Sequence, residues 1–208
     1  MVDEPVLTAD YTWTAGYYEL MFDVGEGRPA AERVADVGAA LWAHPMLNGP
    51  CPRPDLEPDQ QVRCAPGTES CFGTAVLPDG RVVACGSRTL SSLRDFAPDG
   101  EPHPPDLLEF YVPLGSLARV RPQIGGFPFE QRQHARHWQE PLEDWLAGIA
   151  ADTYATVHFA RAAIDFEFDL DYDLWRSWTR ATVPVERAFG LLLPASGELV
   201  HLGRTTWV

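Results

Sequence analysis

The chain has 208 residues, 45% of them hydrophobic, and a formal charge of −14 from 30 acids against 16 bases. That length supports a substantial core in one large domain or two small ones. An acidic balance of this size argues against nucleic-acid binding and against anionic membrane surfaces, since both rely on cationic protein surface. All 16 bases are Arg, so each cation can make forked contacts to carboxylates. The N-terminus, MVDEP, lacks the basic-then-apolar pattern of a signal peptide, and no run is long enough to span a bilayer, so a cytoplasmic location is expected.

Apolar residues alternate from Tyr11 to Val24, but their phase changes at Gly16, which predicts a strand with a bulge there. Gly25 and Gly27 end it. A helix follows, with Pro29 in its first turn, Glu32 near its positive end, and Val34, Val37, Gly38, Leu41 and Trp42 as its buried stripe. His44-Pro45 stops it. Asn48 to Thr68 is rich in Pro and polar residues and reads as a long, functional or mobile loop. Phe72–Leu77 and Arg81–Thr89 form a hairpin about Pro78-Asp79-Gly80.

Pro98 to Pro105 reads as a loop, Leu107 to Leu114 as a strand, and Arg119 to Glu140 as irregular or partly helical. A second helix is expected from about Pro141, with Glu143 and Asp144 in its first turn and Leu142, Trp145, Leu146 and Ile149 as its stripe. A strand should start near Tyr154 and continue through Ile164–Leu174, IDFEFDLDYDL, where apolar and acidic residues alternate without a break. On a strand, Asp165, Glu167, Asp169, Asp171 and Asp173 line one face, about 6.6 Å apart, a spacing near that of phosphates along a nucleic-acid strand. Leu174 to Thr179 reads as a short helical turn, and Glu186–Leu193 with Glu198–Val208 as a closing hairpin.

Gly73–Gly86 and Gly190–Gly203 share glycines at their first, eighth and fourteenth positions. Glu19-LMFDV-Gly25 and Glu109-FYVPL-Gly115 also echo each other. The fold expected is therefore α+β, mostly antiparallel sheet with two helices, in one domain (1–208) made of two strand–helix–hairpin repeats at about 10–90 and 105–208. In that alignment Cys85 falls opposite Leu202 and reads as a small buried hydrophobe.

The acidic row has three readings: a face that is solvated or paired with Arg, a face that docks a cationic partner, or a metal site. Metal binding is the weakest, because alternate acids on a flat strand diverge. His134 and His137, with Glu130 one turn earlier, share a helical face and supply the alternative of a metal-dependent enzyme. Cys51, Cys64 and Cys71 flank the long loop, with spacings that match no zinc framework, and are expected to be free thiols. No cofactor is expected, as there is no Walker A loop, GxSxG elbow or GxGxxG turn.

The aromatic strand YTWTAGYYELMFDVG and the helix ending in Leu41-Trp-Ala-His-Pro45 resemble the opening of bacterial polymorphic-toxin immunity proteins. The resemblance spans roughly the first 50 residues. It implies a cytoplasmic, non-enzymatic protein that binds and blocks a basic toxin, a role with which the five acids are compatible.

Overall fold

The structure is a computed structural model, and it describes residues 5–67, 70–90, 106–122, 124, 132–167 and 172–206, apart from the side chains of 132–135 and 172–173. The loop expected at Pro98–Pro105 lies outside the described residues, as do Glu130, Asp169 and Asp171.

Eight strands form one sheet: β1 (Tyr17–Asp23), β2 (Leu47–Cys51), β3 (Cys71–Val76), β4 (Val82–Leu90), β5 (Leu107–Pro113), β6 (Arg161–Phe166), β7 (Gly190–Ala195) and β8 (Glu198–Leu202). Their order is β2-β3-β4-β5-β1-β6-β7-β8, with every neighbouring pair antiparallel. The helices are α1 (Ala30–Trp42), α2 (Leu114–Val120), α3 (Arg132–Thr156) and α4 (Tyr172–Ser177). The chain is thus α+β and antiparallel, as expected, but the described residues carry four helices where two were expected, α2 and α4 being short ones of seven and six residues.

The first strand forms in the centre of the sheet because both of its faces can be buried. Tyr18, Leu20 and Phe22 point into a core shared with Val34, Val37 and Leu41 of α1 and Leu142, Leu146 and Ile149 of α3. Met21 points to the opposite face, into a smaller cluster with Leu107, Ala163, Trp175, Trp178, Phe189 and Leu191. The first face is therefore roofed by α1 and α3. The second is covered at the β1-β6-β7 end by the 172–191 segment.

Several expectations need correction. The first strand begins at Tyr17, not Tyr11: Tyr11, Ala15 and Gly16 all have positive φ, so the change of phase marks a turn and not a bulge. The loop expected from Asn48 includes β2, whose Leu47 pairs with Ala75 of β3. The second helix starts at Arg132 and carries Pro141 within it, and it runs to Thr156, where a strand was expected to begin. The α1 stripe is as read, with Val34, Val37, Gly38, Leu41 and Trp42 buried, and Pro29 is its N-cap residue.

Both expected hairpins are present, but the sheet does not repeat the inferred unit. The echoing strands β1 and β5 pair with each other, yet β5 lies next to β4 while β1 lies next to β6, not β8. The hairpins also differ in register. Gly73 faces Cys85 across a three-residue loop, Pro78–Gly80, whereas Leu191 faces Leu202 across a two-residue loop, Ser196-Gly197, with both residues at positive φ. A one-residue slip turns side chains to the other face of a sheet. Cys85 accordingly sits in the core under the helices, while Leu202 packs against the cluster on the second face. Cys85 is buried as expected, but its alignment with Leu202 is not the cause.

Candidate functional site

The five acids do not share a strand face. β6 stops at Phe166, and Tyr172–Ser177 is helical, which places Asp173 on α4. The reason is that, among the described residues, no strand lies alongside such a continuation. β6 is paired with β7 only up to Ile164, and with β1 only up to Phe166 opposite Tyr18. Past Tyr17 the chain turns away through the positive-φ residues Gly16 and Ala15, so an extended continuation of β6 would leave its backbone groups unpaired. Glu167 makes the exit, with φ of 44°, and its amide donates to the Tyr17 carbonyl at 3.0 Å. Its carboxylate fills the space above Gly16, where a Cβ would come within 2.5 Å of Oε1.

Asp165 is engaged within the fold. Its carboxylate accepts the Phe166 amide at 2.8 Å and the Nη2 of Arg204 at 3.4 Å. Burial pushes its pKa up to about 6, against the attraction of Arg204. Arg204 itself is at the centre of a buried polar cluster. Its Nε donates to Glu143 Oε2 at 2.6 Å, its backbone amide donates to Glu143 Oε1 at 3.1 Å, and Nη2 donates to the Tyr18 hydroxyl at 2.8 Å. His201 Nε2 lies 3.1 Å from Glu143 Oε1. Gly190 makes room for this cluster, since a Cβ there would lie 2.4 Å from Glu143 Oε1. Burial acts to raise the Glu143 pKa, but the His201 contact and the Arg204 charge outweigh it and hold the carboxyl below its usual range. The internally paired reading of the acidic row thus applies to Asp165.

A second set of buried charges lies on the opposite face. Glu109 is fully buried on β5 and is held by the fork of Arg88 from β4, with Nη2 to Oε1 at 2.9 Å and Nε on Oε2. Arg88 also lies 3.9 Å from Glu19 and stacks near the rings of Tyr17 and Tyr111. Asp23 is matched by Arg161 and Arg176 at 3.7 and 3.2 Å. Sequence reading missed these pairs because each joins residues far apart in the chain, although Glu19 and Glu109 stood at equivalent places in the echoing strands.

Beyond Arg88 the second face opens into a groove of about 840 Å³. Its floor is Asn48, Thr74 and Val82 on β2, β3 and β4. Ser116 and Arg119 of α2 form one wall, and residues 5–8 with the 3-10 turn Pro58–Gln60 form the other. Glu57 ties that wall together, accepting the amides of Val6, Leu7 and Thr8 at 3.0, 3.2 and 2.9 Å, and the Thr8 hydroxyl at 2.9 Å. The size suits a small ligand or a short extended segment. Its lining carries amide, hydroxyl, carboxylate and guanidinium groups, which can hydrogen-bond a polar ligand.

The remaining candidates are dispersed. His137 is exposed on α3, and the His134 side chain lies outside the described residues. Among the described residues, no three of His, Cys, Asp and Glu converge as a metal ion would require. Cys51, Cys71 and Cys85 are buried and Cys64 is half-buried, all as free thiols. Among the described residues, no helix is long and apolar enough to cross a membrane. No family model, curated protein or solved structure matches this chain.

Proposed function

We propose that this chain is a non-enzymatic binding protein that docks a cationic protein partner through an acidic surface, as an immunity protein docks and blocks a toxin. The observation that carries this reading is the unequal use of the two charges. Most guanidinium groups are engaged inside the fold. Arg88, Arg161, Arg176 and Arg204 meet buried carboxylates, Arg28, Arg53, Arg81, Arg121 and Arg136 meet surface ones, and Arg119 and Arg187 donate to backbone carbonyls. The carboxylates of Asp10, Glu26, Glu32, Asp59, Glu167, Glu186 and Glu198 are exposed with no ion-pair partner among the described residues. Among the described residues, unpaired negative charge therefore lies at the surface, where it accelerates encounters with cations over a range of about 8–10 Å in physiological salt.

Of the five acids singled out in the sequence, we assign the docking role to the exposed Glu167, while Asp165 is engaged by Arg204; Asp169, Asp171 and the Asp173 side chain lie outside the described residues. The test is co-expression with a basic protein encoded beside this one, followed by size-exclusion chromatography and association kinetics at low and high salt. A complex whose association slows in salt, and slows further in a Glu26→Gln, Glu32→Gln and Glu167→Gln variant, supports the reading. Absence of a complex, or association indifferent to both salt and these charges, overturns it.

A further inference from the structure

The four cysteines are dispersed in the chain at positions 51, 64, 71 and 85, yet Cys64, Cys71 and Cys85 share the core with α1, and Cys51 lies on β2 opposite Phe72, the neighbour of Cys71. The closest pair is Cys64 and Cys71, with sulfurs 3.4 Å apart. Tertiary contacts, not only the short intervening chain, oppose them. Cys71 opens β3, where it pairs with Ser87 of β4. The Cys64 amide donates to the Pro50 carbonyl at 2.9 Å. Gly67, at φ of 94°, packs so closely on α1 that a Cβ would come within 2.6 Å of the Ala35 Cα.

We propose that Cys64 and Cys71 are a reversible dithiol that closes to a disulfide by exchange with a low-molecular-weight disulfide, Cys64 attacking first and Cys71 resolving. Access sets this order. Cys64 is half-buried, whereas Cys71 and Cys85 are fully buried and Cys51 nearly so. Burial pushes the Cys71 thiol up to about 12, reinforced by its contact with Cys64, and pushes Cys85 well above its usual value. The Cys64 thiolate attacks one sulfur of the small disulfide, its S–S bond breaks, and one thiolate leaves. Cys71 then loses its proton and attacks the Cys64 sulfur, which expels the second thiolate. The two cysteines give up two electrons and two protons, and the small disulfide is reduced to two thiols. Closure pins the 52–64 segment to β3. That segment carries Glu57, which holds residues 6–8 at the wall of the groove, so oxidation fixes the groove's shape.

Tryptic mapping tests the proposal on the native protein. Cys64 and Cys71 fall in a single peptide, Cys64–Arg81, while Cys51 lies in 34–63 because Arg53 precedes Pro54, and Cys85 lies in 82–88. After oxidised glutathione, denaturation and alkylation, peptide 64–81 should be lighter by two hydrogens and unalkylated, with Cys51 and Cys85 alkylated and the change reversed by reductant. Cys71→Ala should leave Cys64 as a glutathione mixed disulfide, and Cys64→Ser should leave Cys71 unmodified. If either variant fails to fold, the native map decides alone. A cross-link between 34–63 and 64–81, a persistent glutathione adduct on native Cys64, or four alkylated thiols would overturn the assignment.

Discussion

Replacing Arg204 with Met should cost this protein about 3–5 kcal/mol, the penalty for removing one partner of a buried ion pair. Both partners are fully enclosed: the Arg204 and Glu143 side chains are each 2% exposed. Met fills a similar volume but leaves the Glu143 carboxylate with only the His201 and backbone contacts, and leaves the Tyr18 hydroxyl and Asp165 without their cation. For a chain of this length each kcal/mol moves the melting temperature by roughly 2–4 °C, so a fall of about 6–20 °C is expected. Urea unfolding followed by Trp fluorescence measures the free energy directly. Adding Glu143→Gln should recover much of the loss, because the stranded charge is removed with it. A loss below about 1 kcal/mol, or a double variant whose losses simply add, would refute the view that a buried charge pair anchors the C-terminal strand.

Other outcomes follow from the same geometry. Asp165 has its pKa raised from 3.8 to about 6, so its ionised form is disfavoured in the fold; that penalty is present above pH 6 and fades as pH falls toward 4. Asp165→Asn should therefore be as stable as the parent or up to about 3 kcal/mol more stable at pH 7, with the difference shrinking near pH 4–5 in urea titrations. Glu143, held below its usual range, behaves oppositely: its contribution is present above pH 4.5 and is lost as pH falls through its lowered value, which Glu143→Gln should abolish. Gly67→Ala, at positive φ and against the Ala35 backbone, should cost about 1–3 kcal/mol and speed thiol labelling of Cys71. Glu57→Gln weakens four hydrogen bonds to residues 6–8, and amide exchange at Val6 and Leu7 should quicken by about tenfold or more.

Much of the architecture was legible locally. The α1 stripe is set by residues three and four apart, and the β3–β4 hairpin by Pro78-Asp79-Gly80, so no distant contact was needed to read either. The acidic stretch misled because alternation states only what a strand would look like, not whether a neighbour exists to receive its hydrogen bonds. Ile164 has β1 and β7 on its two sides, Phe166 has only β1, and no described strand pairs beyond it. Whether the alternating pattern is realised thus depends on Gly16 and Gly190, which lie over 140 residues away along the chain on one side and well past the acids on the other.

The same logic explains why shared glycine spacing did not establish a repeat. Glycines at equal intervals fix where a hairpin turns, but the loop length fixes which residues face each other. Leu77 and Arg81 close a three-residue loop in the first hairpin, while Ala195 and Glu198 close a two-residue loop in the second. That single residue exchanges the inward and outward rows of β8 relative to β4. It turns His201 toward the helices, where it reaches Glu143, and leaves the chain on course to deliver Arg204 to the same carboxylate. The charged cluster under α3 is therefore a consequence of hairpin register. Inserting one residue between Ser196 and Gly197 should release His201 and Arg204 together, lowering stability by at least the 3–5 kcal/mol expected for Arg204 alone; a variant that keeps both contacts, seen as unchanged pH dependence of unfolding, would separate the cluster from the register.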